Sequence, residues 1–234
     1  MRRAARLISR KIASAVFPII LLISVPSAQQ TNLNPQVTFT LDFPKSNPQH
    51  YSISVDSTGH AQYECAGKVA ADADQDTYRA DFQFSRPNRD RIFLLAKQAG
   101  YFSGKIDSGN NKLAFTGDKT LTYQDASRSD SARYNYSNSD AVRQLTTLFQ
   151  NTAATLEYGW RLEYFHRYQK LALDEELKRM ESQAADNELA ELQSVTPVLH
   201  EIMDDTTVIN VVRARAKELI QMGQMSQAAR SQGR

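Results

Sequence analysis

Apolar and polar residues alternate strictly along several short segments in the first half of the chain. The alternation occurs in residues 36–43 (QVTFTLDF), 51–55, 61–65 and 77–84. A period of two places every apolar side chain of a segment on one face of a β-strand. Between the second and third segments, residues 56–59 (DSTG) have turn composition. We therefore predict a hairpin there, closed by Gly59 with a positive φ.

The spacing of apolar residues changes to that of a helix after residue 85. Apolar residues fall on one face of residues 88–99, and Gly100 stands where a helix C-cap belongs. Two short strands are predicted at 112–116 and 119–124, joined by a two-residue turn at Gly117-Asp118, and a last strand at 133–136. These elements predict an α+β fold in which a helix covers an antiparallel sheet.

From residue 140 almost to the end, the spacing of apolar residues predicts helices. Pairs such as Glu157/Arg161 place an acid four residues before a base, an order that favours helix. We predict a break or kink at Gly159 and a helix end at Gly223. Further helices are expected to begin near Ala184, at Thr196-Pro197 and near Asp205.

The predicted helical region is too long to be one straight helix on a small domain. A continuous helix over residues 140–181 would measure roughly 60 Å at about 1.5 Å per residue. We expect the part beyond Gly159 to form a helical hairpin or small bundle, because an uncovered apolar stripe is unfavourable in water. A residual apolar face is expected to bind a protein partner or a second copy of the chain.

The N-terminus has the three parts of a secretory signal peptide. Residues 1–11 carry five basic residues and no acid, residues 12–25 (IASAVFPIILLISV) are largely apolar, and residues 26–28 (PSA) are small. The apolar run is shorter than the ~20 residues of a transmembrane helix. An uncleaved anchor and a mitochondrial presequence are the alternatives. Residues 17–25 are too uniformly apolar for an amphipathic presequence.

The chain is therefore expected to be exported to the periplasm or the medium, with cleavage near Ser27 or Ala28. Its predicted organisation is a signal peptide (1–28), an α+β domain (36–150), a helical region (151–223) and a disordered tail (224–234). After cleavage, no permanent membrane span is expected.

Removal of the signal peptide changes the charge of the protein. The formal net charge is +2, and without the five N-terminal basic residues it becomes −3. Because nucleic-acid binding needs clustered Lys and Arg, no nucleic-acid partner is expected. The single cysteine, Cys65, excludes an internal disulfide and the Cys-rich zinc sites. It shares the inward face of its strand, which predicts a buried structural thiol.

Part of the chain resembles bacterial envelope domains of uncharacterised function. The resemblance lies in the hairpin of residues 51–63 (YSISV…GHAQY), in the helix followed by aromatic residues at 93–102, and in the strand at 120–123. It covers roughly residues 37–160. It implies an exported α+β domain and transfers no catalytic residues.

An acidic segment is the first candidate for chemistry. Asp72, Asp74 and Asp76 alternate like the start of a calcium-binding EF-hand loop. The sixth and twelfth positions of that motif should be Gly and Glu, but they are Thr77 and Gln83 here. A solvated acidic loop between strands is the favoured interpretation.

His200 and Asp204 lie four residues apart, a spacing that could place two metal ligands on one helix face. No third ligand is evident, and Asp204 or Asp205 is more simply a helix cap. The four histidines are scattered, and the sequence has no GxGxxG, phosphate-loop or GxSxG motif. We therefore predict no cofactor, no metal ligand and no catalytic residue.

The aromatic residues of the helical region are the candidate partner surface: Tyr158, Trp160, Tyr164, Phe165 and Tyr168. Aromatic residues at helical spacing are usually core. These five are spread over more than one face, however, and exposed aromatic patches tend to mark interfaces.

Two functions are compatible with the sequence. The first is an exported, non-catalytic binding or assembly protein of the bacterial cell envelope. The alternative is a secreted or periplasmic hydrolase that uses dispersed carboxylates, with Asp72, Asp74 and Asp76 as its candidates. A cleft with converging carboxylates would favour the enzyme, and an exposed apolar stripe on the helices would favour binding.

Overall fold

The computed structural model describes residues 34–110 and 112–232 of the chain. The signal peptide predicted for residues 1–28 lies outside the described residues. The strands and helices of the described part are β1 (Gln36–Asp42), β2 (His50–Asp56), β3 (His60–Lys68), β4 (Gln75–Gln83), α1 (Arg86–Gln98), β5 (Asp118–Gln124), β6 (Ser129–Tyr134), α2 (Asp140–Tyr168), α3 (Leu173–Ala185), α4 (Thr196–Asp204) and α5 (Asn210–Gln232).

The strands form one antiparallel sheet in the order β4-β3-β2-β1-β5-β6. Helices α1 and α2 cover the face on which the apolar residues lie. Phe39, Ile53 and Leu121 are fully buried on that face, and the ring of Phe149 from α2 stacks on Phe39 with centroids 5.4 Å apart. The predicted α+β class and the covered antiparallel sheet are confirmed.

The other face of the sheet is polar. Thr38 of β1 lies between Ser54 of β2 and Thr122 of β5, and Thr40 occupies the corresponding place one pleat further along. These side chains are half-buried. The alternation in the sequence thus separates an apolar, helix-covered face from a polar one.

The hairpin between β2 and β3 is confirmed. Gly59 has φ +92°, and its N–H donates to the carbonyl oxygen of Asp56 at 2.9 Å. The Asp56 carboxylate accepts the N–H groups of Thr58 and His60 at 2.8 and 3.1 Å, which fixes the turn. A side chain at position 59 would be strained because L-residues rarely adopt this φ.

The predicted turn at Gly117-Asp118 is wrong. Residues 112–116 form no strand, and β5 pairs with β1 on one side and β6 on the other. The β5–β6 turn instead lies at residues 125–128, where Asp125 accepts the N–H groups of Ser127 and Arg128. Strand β6 accordingly begins and ends earlier than the predicted strand at 133–136.

Helix α2 passes through Gly159 without a break, which corrects the predicted kink. A Cβ atom at position 159 would lie 2.7 Å from Cγ1 of Val195. The glycine therefore permits a close approach between α2 and the short 3-10 turn at Leu192–Val195. The boundary predicted between the two domains, at residues 150 and 151, lies within this helix.

The helices beyond α2 fold back and form a second apolar core with its C-terminal half. Leu162, Leu177, Leu199, Val212 and Leu219 are buried there. The expected helical bundle is confirmed, and α4 begins at Thr196 as predicted.

The other predicted boundaries of the helical region differ from the structure. The helix expected near Ala184 is instead the end of α3, and α5 begins at Asn210 rather than near Asp205. Helix α5 also continues past Gly223, its predicted end, to Gln232. One glycine costs a helix only about 1 kcal/mol relative to alanine, so it does not have to end there. Within the described residues, no helix is long and apolar enough to cross a membrane.

Candidate functional site

A cleft opens between the β5–β6 end of the sheet and the first half of α2. Its volume is about 390 Å³, and its lining includes Thr116, Lys119, Tyr134, Asn135, Ser137 and Arg143. Pockets for small ligands typically measure roughly 300–1,000 Å³. The cleft, called the β6 cleft below, is therefore large enough for a small organic molecule.

Lys119 is the most unusual residue of the β6 cleft because it is only 4% exposed. It lies on the helix-facing side of β5, where Leu121 and Tyr123 are the other inward residues. Its ammonium group lies within hydrogen-bonding distance of four oxygens: Oγ1 of Thr116 at 2.8 Å and the carbonyl oxygens of Asn135, Thr116 and Gly117 at 3.0, 3.3 and 3.4 Å. These acceptors are uncharged.

The charge of Lys119 is not balanced by a carboxylate. The adjacent acid, Asp118, pairs with Arg133 instead. In the part of the chain that the structure describes, Lys119 forms no ion pair within 4.0 Å. Burial lowers the pKa of Lys119, and the nearby Asp118 only partly opposes this effect. A buried cation is unfavourable unless it is paired, so the β6 cleft favours an anion.

Arg143 of α2 supplies a second cation to the cleft. Its guanidinium group donates to the carbonyl oxygen of Asn138 at 2.8 Å and pairs with Asp140 at 3.1 Å. Tyr134 of β6 contributes an aromatic wall, with its hydroxyl 2.6 Å from Oγ1 of Thr146. Burial raises the pKa of Tyr134, which keeps the phenol neutral at physiological pH. The cleft thus combines positive charge with an apolar wall.

Glu191 shows how a buried charge is satisfied elsewhere in the same molecule. It is 3% exposed, and its carboxylate accepts the N–H and the hydroxyl of Ser85, both at 2.8 Å. The side-chain amides of Asn88 and Gln193 donate to it as well. Since α1 begins at Arg86, this carboxylate lies at the N-terminus of the helix, where the dipole favours an anion.

Glu157 of α2 is a half-buried carboxylate, located between α2 and β3. Its Oε1 lies 3.4 Å from the Tyr63 hydroxyl, and its Oε2 lies 3.8 Å from the guanidinium group of Arg161. Arg161 also bonds to the buried Glu176. Burial raises the pKa of Glu157 to about 7, although Arg161 and Tyr63 act in the opposite direction. Glu157 therefore changes protonation near neutral pH.

The structure separates the aromatic residues of the predicted partner surface. Tyr158 is only 5% exposed and belongs to the helical core. Trp160 stacks on Tyr78 of β4, with ring centroids 5.2 Å apart. Tyr164 contacts both Phe165 and Tyr168, at 5.8 and 5.2 Å between centroids. Of the five, only Tyr168 is largely exposed, at 65%.

The acidic segment Asp72–Asp76 runs from the β3–β4 connection into the start of β4 and is exposed at all three aspartates. Oδ2 of Asp72 accepts a long hydrogen bond of 3.4 Å from the side chain of Gln169. Asp76 accepts the N–H of Thr77 at 2.7 Å. These contacts are those of a surface connection.

The remaining residues considered in the sequence are the His200–Asp204 pair, Asp205 and Cys65. His200 and Asp204 are exposed on α4, whereas Asp205 accepts the N–H of Thr207 at 2.8 Å and so fixes the turn after that helix. Asp205 also contacts His166 at 2.9 Å. No group of three or more His, Cys, Asp or Glu residues that could hold a metal ion occurs among the described residues. Cys65 is buried, as predicted.

Sequence reasoning missed Lys119 and Arg143 as site residues. One signal was available, because Lys119 begins the predicted strand 119–124 at the position of an inward-facing residue. A lysine on the apolar face of a strand indicates either the end of that strand or a buried charge. Arg143 gave no such signal, since it occupies an ordinary polar position of a helix.

No protein-family model matches the chain, and no curated protein is similar to it.

Proposed function

We propose that this chain is an exported, non-catalytic binding protein of the bacterial cell envelope, and that it holds an anionic organic ligand in the β6 cleft. The observation that carries the proposal is the buried ammonium group of Lys119 in the wall of a 390 Å³ cleft. A ligand anion would supply the missing counter-charge. The positively charged signal region and the apolar segment after it support export.

The size and lining of the cleft define the class of ligand. Lys119 and Arg143 favour a carboxylate or a phosphate group, because charge-assisted hydrogen bonds are stronger than neutral ones. The ring of Tyr134 and the partly exposed ring of Tyr136 favour a short apolar portion next to that group. A small aliphatic carboxylate has both features and fits the volume.

Native mass spectrometry of the protein recovered from its exporting host tests the proposal. We expect a bound small molecule that is lost on denaturation and that ionises as an anion. The variant Lys119→Met should lack it, because the substitution removes the charge and keeps a side chain of similar length. Lys178→Met is the matched control, since Lys178 is an exposed lysine of α3.

Two results would count against the proposal. The same bound mass on wild type and Lys119→Met would show that Lys119 does not hold the ligand. A molecule that is consumed with turnover would favour the hydrolase alternative over a binding protein.

Export itself is tested by the intact mass of the protein in the periplasmic or medium fraction. We expect the mass of a chain that begins immediately after Ser27 or Ala28. Recovery of the full-length chain in the cytoplasm would contradict this part of the proposal.

Binding of a protein partner by the C-terminal helices also remains a proposal. Tyr168 at the end of α2 and Leu171 in the turn that follows, 65% and 93% exposed, are the apolar side chains that would carry it. Pull-down from envelope extract with wild type and Leu171→Asp tests it. A partner that both proteins retain equally would exclude this surface.

A further inference from the structure

Strand β4 is one of the two outer strands of the sheet, and its outer edge carries unused backbone groups. In the described part of the chain, β4 pairs with β3 alone, over nine residues from Gln75 to Gln83. A long outer strand is a template for pairing with another strand, because its outward N–H and C=O groups have no strand partner.

The hydrogen bonds identify which residues of β4 direct their backbone N–H and C=O groups away from β3. The N–H of Phe84, the residue after β4, donates to the carbonyl oxygen of Gly59 at 2.9 Å. Backbone groups alternate along an antiparallel strand, so the even-numbered residues face β3 and the odd-numbered ones face outward. The N–H of Thr77 agrees with this, since it donates to the Asp76 side chain. Arg79 and Asp81 thus expose their backbone groups at the centre of the free edge.

We propose that a second copy of this chain adds its own β4 to that edge, antiparallel and about a two-fold axis at Ala80. Arg79 then lies opposite Asp81 of the second copy, and the reverse pair forms on the other side of the axis. Tyr78 lies opposite Phe82 in the same register. The outward N–H and C=O groups of the odd-numbered residues in the two copies then face each other, so they can form the hydrogen bonds of an antiparallel strand pair.

Charge and ring pairing favour this register over its neighbours. Opposite charges and aromatic pairs across strands stabilise a sheet, and like charges directly opposite each other destabilise it. A shift of one residue per copy in one direction would place Arg79 opposite Arg79. A shift in the other direction would place Asp81 opposite Asp81. Arg79 and Asp81 are both exposed on the polar face of the sheet, so they are available for the new pairs.

Within the described residues, the side chains of Arg79 and Asp81 each keep hydrogen-bonding atoms free for a second partner. Nε of Arg79 bonds to Glu64 at 2.8 Å, which leaves the terminal nitrogens of the guanidinium group. Oδ1 of Asp81 accepts from Gln62 at 3.1 Å, which leaves the other carboxylate oxygen. The pairs with the second copy would therefore extend existing ones across the axis.

The other outer strand, β6, cannot form an equivalent pair of charges. Its acid and its base, Asp130 and Arg133, are three residues apart and lie on opposite faces of the strand. Two antiparallel copies of β6 would therefore never bring them opposite each other. The association we propose is specific to β4 and is independent of the ligand proposed for the β6 cleft, which lies at the far end of the sheet.

Charge variants of the full chain test the association by sedimentation. We expect the wild type to have twice the mass of one chain. Arg79→Asp and Asp81→Arg should each give monomers, because each creates two like-charge pairs at the axis. An equal mixture of the two variants should recover the doubled mass, since acids of one chain then face bases of the other. Native mass spectrometry of the mixture should show a heterodimer.

Thermal unfolding of each variant verifies that it is folded, and both substitutions are at exposed positions. All three proteins carry the same N-terminus and the same C-terminal helices, so association through those parts would be equal in each. A monomeric wild type would overturn the proposal. So would single variants that dimerise like the wild type, or a mixture that stays monomeric.

Discussion

Each end of the sheet buries one charge among uncharged hydrogen-bond partners, but the cation near β6 also lines an open cleft. Near β4, the carboxylate of Glu191 is surrounded by four donors at the start of α1. Near β6, the ammonium group of Lys119 contacts only neutral oxygens beside an open cleft. Both residues are less than 5% exposed.

From this difference we propose a structural role for Glu191 and a ligand-binding role for Lys119. Removal of Glu191 leaves donors without an acceptor, which destabilises the fold. Lys119 also has hydrogen-bond partners, four uncharged oxygens, but within the described residues it has no carboxylate partner. An anionic ligand in the cleft could supply the counter-charge that Lys119 lacks.

The largest expected effect is at Glu191. Glu191→Ala should lower the free energy of unfolding by roughly 3 kcal/mol, because it leaves the N–H of Ser85 and the amide of Asn88 buried without partners. Chemical denaturation measures this loss. Glu191→Gln keeps one acceptor oxygen and should lose less, and an equal loss in both variants would show that hydrogen bonding is not the cause.

Glu157 gives the next largest effect, as a dependence of stability on pH. Between pH 4.5 and about 7, the carboxyl group of Glu157 is protonated in the native state but already ionised in the unfolded chain. The free energy of unfolding should therefore fall as pH rises through that window, by roughly 2–3 kcal/mol.

Denaturation of wild type and Glu157→Gln across that range measures the difference. The variant has no carboxyl group to ionise, so its stability should vary less with pH. The exposed Glu188→Gln should behave like wild type. Parallel curves for wild type and Glu157→Gln would mean that Glu157 is not the titrating group.

Gly159 tests the packing on the β4 side of α2. Gly159→Ala should lower the free energy of unfolding by roughly 1–2 kcal/mol, because the new methyl group would meet Val195. In combination with Val195→Ala, the loss should be smaller than the sum of the two single losses. Strict additivity in this double-mutant cycle would contradict the contact.

The smallest effect on stability is expected at Lys119. Lys119→Met should lower the free energy of unfolding by about 1 kcal/mol at most, because the oxygens it leaves without a donor lie beside an open cleft that water can enter. The comparison with Glu191→Ala is the sharpest contrast between the two ends of the sheet. A loss as large as that of Glu191→Ala would show that Lys119 is structural.

The sheet was largely predictable because its signals are local. Alternation in residues 36–43 predicted β1, and the DSTG segment predicted the turn at Gly59. The error at Gly117 arose because its turn composition is local, whereas β5 finds its partner β1 far away in the sequence. The predicted kink at Gly159 has a similar cause. The glycine is there because Val195 packs against it, and Val195 is remote along the chain.

The candidate site was less predictable than the fold. The inward position of Lys119 was visible in the sequence, but the cleft beside it depends on how α2 packs on β5 and β6. Of the five aromatic residues predicted as a partner surface, Tyr158 packs in the helical core and Trp160 stacks on Tyr78 of β4. A pattern along one helix cannot show which of its faces neighbouring elements cover.

Calorimetric titration of the full chain with octanoate tests the central claim most directly. We expect saturable binding of one octanoate per chain to wild type and to Lys178→Met, and a loss of at least tenfold in affinity for Lys119→Met. Butyrate and inorganic phosphate, titrated in parallel, measure how much the apolar portion contributes. Equal affinity of octanoate for Lys119→Met and wild type, or no binding of any of the three anions, would contradict the account.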